Sequence, residues 1–317
     1  MKQATIFKNY ALDITHENST FEVPVIEMHG TPSADTLFIF SALHGDEYEA
    51  TRAIHLVQDY FKSEQLTGRI IAIPVANPAA YKANLRSTPD AFDGENLARS
   101  FPGDANGTLT QKIADSLWNL ILNNRTENSF ILDLHSGGQN YSYAHLSGIR
   151  DLKIESTQTK IAMELARAMQ IPNLWMMPAT AGTLSTVAIA SGIPAIGCEV
   201  EGTGGLNPLD VMIYFKGILN VLRYTKQLSS GELFLQEGEF VPIETIYSAV
   251  DGFIASCPTV ESPIKSGEVI CEILDYFGDP KVKIHSPCDG RIWAIRRNPS
   301  IAKGEIIALV SHERKQI

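Results

Sequence analysis

The sequence predicts an α/β fold: a mainly parallel, mixed sheet flanked by helices, followed by a small C-terminal β domain. Apolar strand-like runs alternate with helix-period segments up to about residue 230, the pattern of a sheet covered on both faces. Several of those runs end in His or Glu rather than in plain turn residues, and in open α/β sheets function gathers at the carboxyl ends of the strands. After "QLSSGE" (227–232) helical periodicity stops, and short β-type segments punctuated by Gly and Pro take over. The expected division is therefore 1–232 for a catalytic domain and 233–317 for a β-rich barrel.

Each element has its own signal. "TLFIFSA" reads as a buried strand, and "DEYEATRAIHLVQDYFK" follows with Ala50, Ile54, Val57 and Phe61 at helical spacing. "RIIAIPVAN" is a second strand. "LTQKIADSLWNLIL" is a helix with Leu109, Ile113, Leu117 and Leu120 on one face. "SFILDLHSGG" is a strand running into a turn, "TKIAMELARAM" a helix, "PAIGCEV" a strand and "LDVMIYFKGILNVLRYTKQL" a long helix. The tail contributes "VDGFIASC", "SGEVICEIL", "KVKIHSPCDGRIWAI" and "KGEIIALVS" as β segments.

Composition narrows the function. The chain has 317 residues, 44% hydrophobic and 20% charged, enough for a sizeable core in one large or two smaller domains. A net charge of −10 argues against a nucleic-acid surface, which needs clustered Lys and Arg. The short basic cluster "IRR" (295–297) reads as a solvated strand edge. Cys198, Cys257, Cys271 and Cys288 form no CxxC pair, so neither a zinc ribbon nor a redox motif is signalled. No apolar leader core and no run of about 18 apolar residues is present, so a soluble cytoplasmic protein with reduced thiols and no membrane partner is expected. A homo-oligomer stays open.

The chemistry gathers at the strand ends. In "SALHGDEYEA", His44 and Glu47 stand three apart, which on helical backbone places both on one face. Imidazole plus carboxylate is a common zinc pair, and catalytic zinc sites often use two His and one Glu. Alone, the same stretch also fits a helix start whose Asp46 and Glu47 favour the positive dipole end. A second strand, "FILDLHSGG", runs straight into His135, a candidate third ligand. A third, "GIPAIGCEVEGTGG", is apolar until Glu199. A carboxylate ending a buried strand needs a partner or a task, and beside a metal it suits a general base. Glu201, two residues on, would share its face in extended backbone.

"HGDE", "LDLHSGG" and "GIPAIGCEVEG", in that order, resemble the succinylglutamate desuccinylase/aspartoacylase family of the zinc carboxypeptidase superfamily, over roughly residues 35–230. The resemblance implies a zinc carboxypeptidase-like fold and one Zn2+ per chain held by His44, Glu47 and His135. It implies Glu199 as general base and acid. The implied activity is hydrolysis of the amide of a small N-acyl amino acid or N-acyl amine. "NPAAYKANLR" matches the family's "NP" stretch and points to Arg86 as the group that polarises the scissile carbonyl. "DGENLARSFPG" resembles the family's Asn-Arg segment and points to Arg99 as a fork for a substrate carboxylate. The asparagine usual just before that arginine is Ala98 here; Asn96 stands nearby as an alternative substrate-binding amide. The tail resembles a lipoyl-like barrel without the modified lysine: Asp289–Gly290 occupies the turn, and His285 reads as a strand residue. The tail's expected role is to narrow access. A carboxypeptidase-like metallopeptidase and a non-catalytic binding protein that retains the fold are the competing readings.

Overall fold

A computed structural model describes residues 4–153 and 155–312. The chain opens on an antiparallel pair, β1 (Ile6–His16) and β2 (Ser19–His29), which carries no strong strand signal in the sequence. β3 (Thr31–Phe40), α1 (Glu49–Tyr60), β4 (Thr67–Ile73) and α2 (Pro78–Ala83) follow. Then come α3 (Leu109–Asn124), β5 (Asn128–Ser136), β6 (Tyr141–Tyr143), β7 (Leu146–Asp151), α4 (Thr157–Ala168) and β8 (Asn173–Pro178). α5 (Leu184–Ala190), β9 (Ala195–Val200) and α6 (Pro208–Tyr224) complete the mixed part. The β-rich end comprises β10 (Val241–Tyr247), β11 (Gly252–Ser256), β12 (Pro263–Ile264), β13 (Val269–Leu274), β14 (Pro280–His285), β15 (Gly290–Arg296), β16 (Ser300–Ile301) and β17 (Ile306–His312).

The strands lie in the order β1-β2-β4-β3-β5-β9-β7-β8-β10-β17-β15-β12, with β6 beside β15, and a separate four-stranded sheet runs β14-β13-β11-β16. The centre is parallel (β4/β3, β3/β5, β5/β9), and β7 runs antiparallel to β9. Strand alternation sorts the core onto two faces. Leu37, Ile39, Leu132, Leu134, Ile196 and Cys198 pack toward α1, α4 and α6. Phe38, Phe40, Ile71, Ile73, Ile131 and Ala195 pack toward α3 and α5. Each of the Leu, Ile and Phe side chains among them, fully buried, contributes about 1.5–3 kcal/mol.

Local chemistry starts the helices where the sequence places them. Thr108 and Gln111 form a reciprocal capping box at α3. Asn77 and Asn207 cap α2 and α6, each with Pro at the first helical position.

Two expectations need correction. α1 begins at Glu49, so His44 and Glu47 sit in the turn before it and not on helical backbone. The "IRR" cluster is solvated only at Arg297, which is exposed: Ile295 and Arg296 are buried, because β15 pairs with β17 and with β6 from the mixed part of the chain.

Candidate active site

The turn after β3 is held by backbone, not by helix. Ala42 adopts φ +51°, a left-handed conformation costly for alanine, and its carbonyl accepts the Asn77 N–H at 3.0 Å. Three residues later, a Cβ on Gly45 would stand 2.1 Å from the Ala80 carbonyl carbon and 2.2 Å from the Tyr81 nitrogen. Only glycine lets α2 approach this closely. The tight turn swings His44 and Glu47 inward, so the pair converges for a reason other than helical spacing.

β5 and β9 supply the rest. They run parallel with His135 opposite Glu199, and alternation puts Asp133 on the face of His135. The Glu47 carboxylate lies between the two imidazoles, Oε1 2.8 Å from His44 Nδ1 and Oε2 2.9 Å from His135 Nδ1. The two Nδ1 atoms are 3.2 Å apart. The far nitrogens are also engaged: His44 Nε2 lies 3.2 Å from Asn96 Oδ1, and His135 Nε2 lies 3.0 Å from Asp133 Oδ1. Each ring therefore turns Nδ1 to one common point, with Asn96 hydrogen-bonded behind His44 and the Asp133 carboxylate in ion-pair contact behind His135, the arrangement of oriented metal ligands.

Burial and charge set the protonation states. Burial, helped by Arg86, lowers His44 to about 4, so its ring is neutral. Burial also pushes His135 down, but Asp133 and Glu47 overcome it and raise the ring well above its usual value. Burial would raise Glu47, yet His44 and His135 hold it well below the carboxylate range. Glu199 is pushed up to about 8 by burial, against the pull of His135 and with the added repulsion of Glu47. Its Oε2 is buried without a partner among the described residues.

These groups open into a cavity of about 330 Å³. His44, His135 and Glu199 line it, with Arg86, Arg99 and Arg150. Arg86 Nη1 donates to Glu47 Oε1 at 2.9 Å, and the guanidinium lies 5.4 Å from the Tyr141 ring centre. Arg99 Nη1 donates to the Ala98 carbonyl at 2.8 Å. Asn96 is not part of the lining; its Oδ1 faces His44 and also accepts the Ala98 N–H at 2.9 Å. Glu201 leaves the shared face as well: the strand ends at Val200, and the Glu201 side chain is exposed. The outer wall comes from the β-rich end, with Ile243, Thr245 and Tyr247 of β10 and Ile306 and Leu309 of β17. His285 is remote, its Nδ1 2.8 Å from the Gly267 carbonyl oxygen.

Residues 33–225 match the succinylglutamate desuccinylase/aspartoacylase catalytic domain. The chain belongs to that family. Membership places it among hydrolases of amide bonds. It is 29% identical, over 87% of its length and 82% of the relative's, to an N-alpha-acetyl-L-2,4-diaminobutyric acid deacetylase of Halomonas elongata. The product-bound structure of the ectoine utilization protein EutE (DoeB) from Ruegeria pomeroyi superposes with a TM-score of 0.84 at 25% identity, covering 97% of this chain and 95% of that one. A succinylglutamate desuccinylase/aspartoacylase from Rhodobacter sphaeroides shares the fold, with a TM-score of 0.81 at 23% identity and coverage of 97% and 96%.

The donor set in this member of the family fits a divalent ion. One ligand atom from each of His44, Glu47 and His135 lies within 4.8 Å of the others, and the unpartnered Glu199 carboxylate oxygen borders the same cavity. Two site residues escaped the sequence reading. Asp133 had a legible signal, an acid two positions before His135 in the same strand. Arg150 had none, because "YAHLSGIRD" gives no strong strand pattern. It lies in β7, with Nε donating to Ser185 Oγ at 3.3 Å and Nη1 buried without a partner among the described residues. Burial and the neighbouring Arg99 hold it down to about 10.

Proposed function

We propose that the protein is a zinc-dependent deacylase that cleaves the amide of a small N-acyl amino acid to a carboxylate and a free amine. The observation that carries this reading is the convergence of the His44, Glu47 and His135 ligand atoms at the wall of a cavity that His44, His135 and Glu199 line. Held by the three ligands, Zn2+ would acidify a water and polarise the scissile carbonyl. Glu199, with a proton affinity far above an exposed glutamate's, is the residue that would accept a proton from the attacking water and return it to the departing nitrogen. Arg86, anchored on Glu47 and lining the cavity, would stabilise the oxygen on which negative charge develops. Arg99 and Arg150 bring two further cations to the cavity, which suits a carboxylate on the amine half of the substrate. Similarity to a deacetylase of an N-acetylated amino acid supports the same class.

A metallopeptidase would need room for a polypeptide on both sides of the bond. A cavity of about 330 Å³ walled by β10 and β17 favours small substrates instead. A binding protein would have no use for Glu199. The test is metal content, then amine release from a panel of N-acetyl and N-succinyl amino acids with and without chelator. About one zinc per chain and chelator-sensitive turnover, abolished by Glu199→Ala with zinc retained, support the proposal. A protein that neither holds nor takes up zinc would sink it.

A further inference from the structure

We propose that Arg297, in the β-rich end of the chain, is a positioning residue for the active site: it ties together the loops that follow His135 and Glu199. Its Nη2 donates to the Gly138 carbonyl at 2.6 Å and its Nη1 to the Gly202 carbonyl at 3.0 Å. Gly138 lies three residues beyond His135, and Gly202 three beyond Glu199. One planar guanidinium thus bridges the two turns that terminate the two catalytic strands, a geometry lysine cannot reproduce.

The turns themselves are built for that contact. They meet backbone to backbone, since a Cβ on Gly202 would lie 2.4 Å from the Gly137 nitrogen and 2.6 Å from the Gly138 nitrogen. A Cβ on Gly137 would lie 2.4 Å from the Glu201 carbonyl oxygen. Backbone bonds already join the turns, Gly137 N–H to the Val200 carbonyl and Tyr143 N–H to the Glu201 carbonyl, each at 3.2 Å, and Gln139 N–H donates to Asp46 at 2.9 Å; Arg297 adds a side-chain bridge across the far ends of both turns, at the Gly138 and Gly202 carbonyls. Arg297 is fixed in turn by its backbone, which donates to the Asn140 carbonyl at 2.8 Å. Its neighbour Arg296 makes a parallel connection. Buried, it donates from Nη1 to the Tyr141 hydroxyl at 3.3 Å, and the Tyr141 ring lies under both Arg296 and Arg86. The β-rich end therefore does more than wall the cavity. It reaches the catalytic strands through Arg297 and the Arg86 guanidinium through Tyr141.

The experiment compares the full-length wild type with Arg297→Met, which keeps the stem and removes the donors, and Arg297→Lys. Hydrogen exchange by mass spectrometry is read over residues 137–143 and 201–205. In Arg297→Met both segments exchange at least tenfold faster together, while β13 and β14 are unchanged; Arg297→Lys recovers part of the protection. The kinetic arm alone rests on the deacylase reading: with the best panel substrate, kcat falls about tenfold while KM stays within twofold. Exchange that rises in neither segment, or in only one, overturns the clamp. Loosened loops with unaltered kcat overturn its positioning role. If no panel substrate is turned over even by the wild type, the deacylase reading is what fails, and the exchange result still decides the clamp.

Discussion

Asp133→Asn isolates the brace behind His135. The substitution keeps the volume and removes one charge, 3.0 Å from His135 Nε2 at a buried position. After burial, which acts the other way, Asp133 is the leading influence on the raised proton affinity of His135. The same charge makes the ring a better donor at Nδ1. An asparagine oxygen can still accept from Nε2–H, so orientation survives, but a neutral bond is roughly half as strong as a charge-assisted one. Loss of such a brace costs about 10- to 100-fold in metal affinity, which at 1.36 kcal/mol per decade is about 1.4–2.7 kcal/mol. Two nearby cations, Arg99 and Arg150, also lose a counter-charge, since Asp133 favours the charged form of each. That pushes the expected loss toward the upper part of the range. The assay is competition for Zn2+ against a chromophoric chelator at pH 7.5, with circular dichroism to verify the fold. A folded Asp133→Asn protein that binds zinc within twofold of wild type would refute the argument, as would an equal loss in the His135→Ala background.

Three further outcomes follow from the same geometry. Arg150→Met should raise KM for an N-acyl amino acid by about 10- to 150-fold, the equivalent of a charge-assisted hydrogen bond of about 1.5–3 kcal/mol; the effect should vanish for the substrate's carboxamide, and an equal effect on both would sink the assignment. Gly45→Ala drives a Cβ into the Ala80–Tyr81 backbone and should cost about 1–3 kcal/mol in urea unfolding, with a weakened zinc site; an unchanged midpoint contradicts the steric account. His145 donates to Asp210 across 2.7 Å, and that bond raises its proton affinity. Its folded value exceeds the unfolded one, so its contribution is full below about pH 6.5 and fades as pH rises through the folded value. The stability gap between wild type and His145→Gln should therefore shrink toward alkaline pH, and a pH-independent gap would exclude the linkage.

Legibility in the sequence tracked how strongly each segment's role is encoded locally. β3, β5 and β9 announce themselves because they are buried on both faces and read as unbroken apolar runs. β1 lies at the sheet's edge with six of its eleven residues exposed, so the alternation of the β1–β2 pair is diluted. β7 contains Ser147 and Gly148 and is recognisable only through its neighbours β8 and β9. In the site, His44, Glu47, His135 and Glu199 were marked by polar groups closing apolar runs. Arg150 was invisible, because nothing local distinguishes it from a surface arginine. The "IRR" cluster was misread for the same reason: its partners Tyr141, Gly138 and Gly202 lie about 95–160 residues away. Long-range pairing, not propensity, gives those residues their roles.

β10 belongs to two neighbourhoods at once. It joins β8 through only two residue pairs on one side and β17 along most of its length on the other. A ribosome therefore releases every reactive group of this chain, through Glu199, well before the wall that encloses them. Until Val241 to Tyr247 docks, His44, His135 and Glu199 lack the wall that β10 gives their cavity. The candidate ligands and the wall around them lie on separate stretches of the polypeptide, joined at β8–β10, at β6–β15 and through Arg296 and Arg297. Changes along β10 and β17 can redraw what is admitted while leaving the histidines and glutamates untouched.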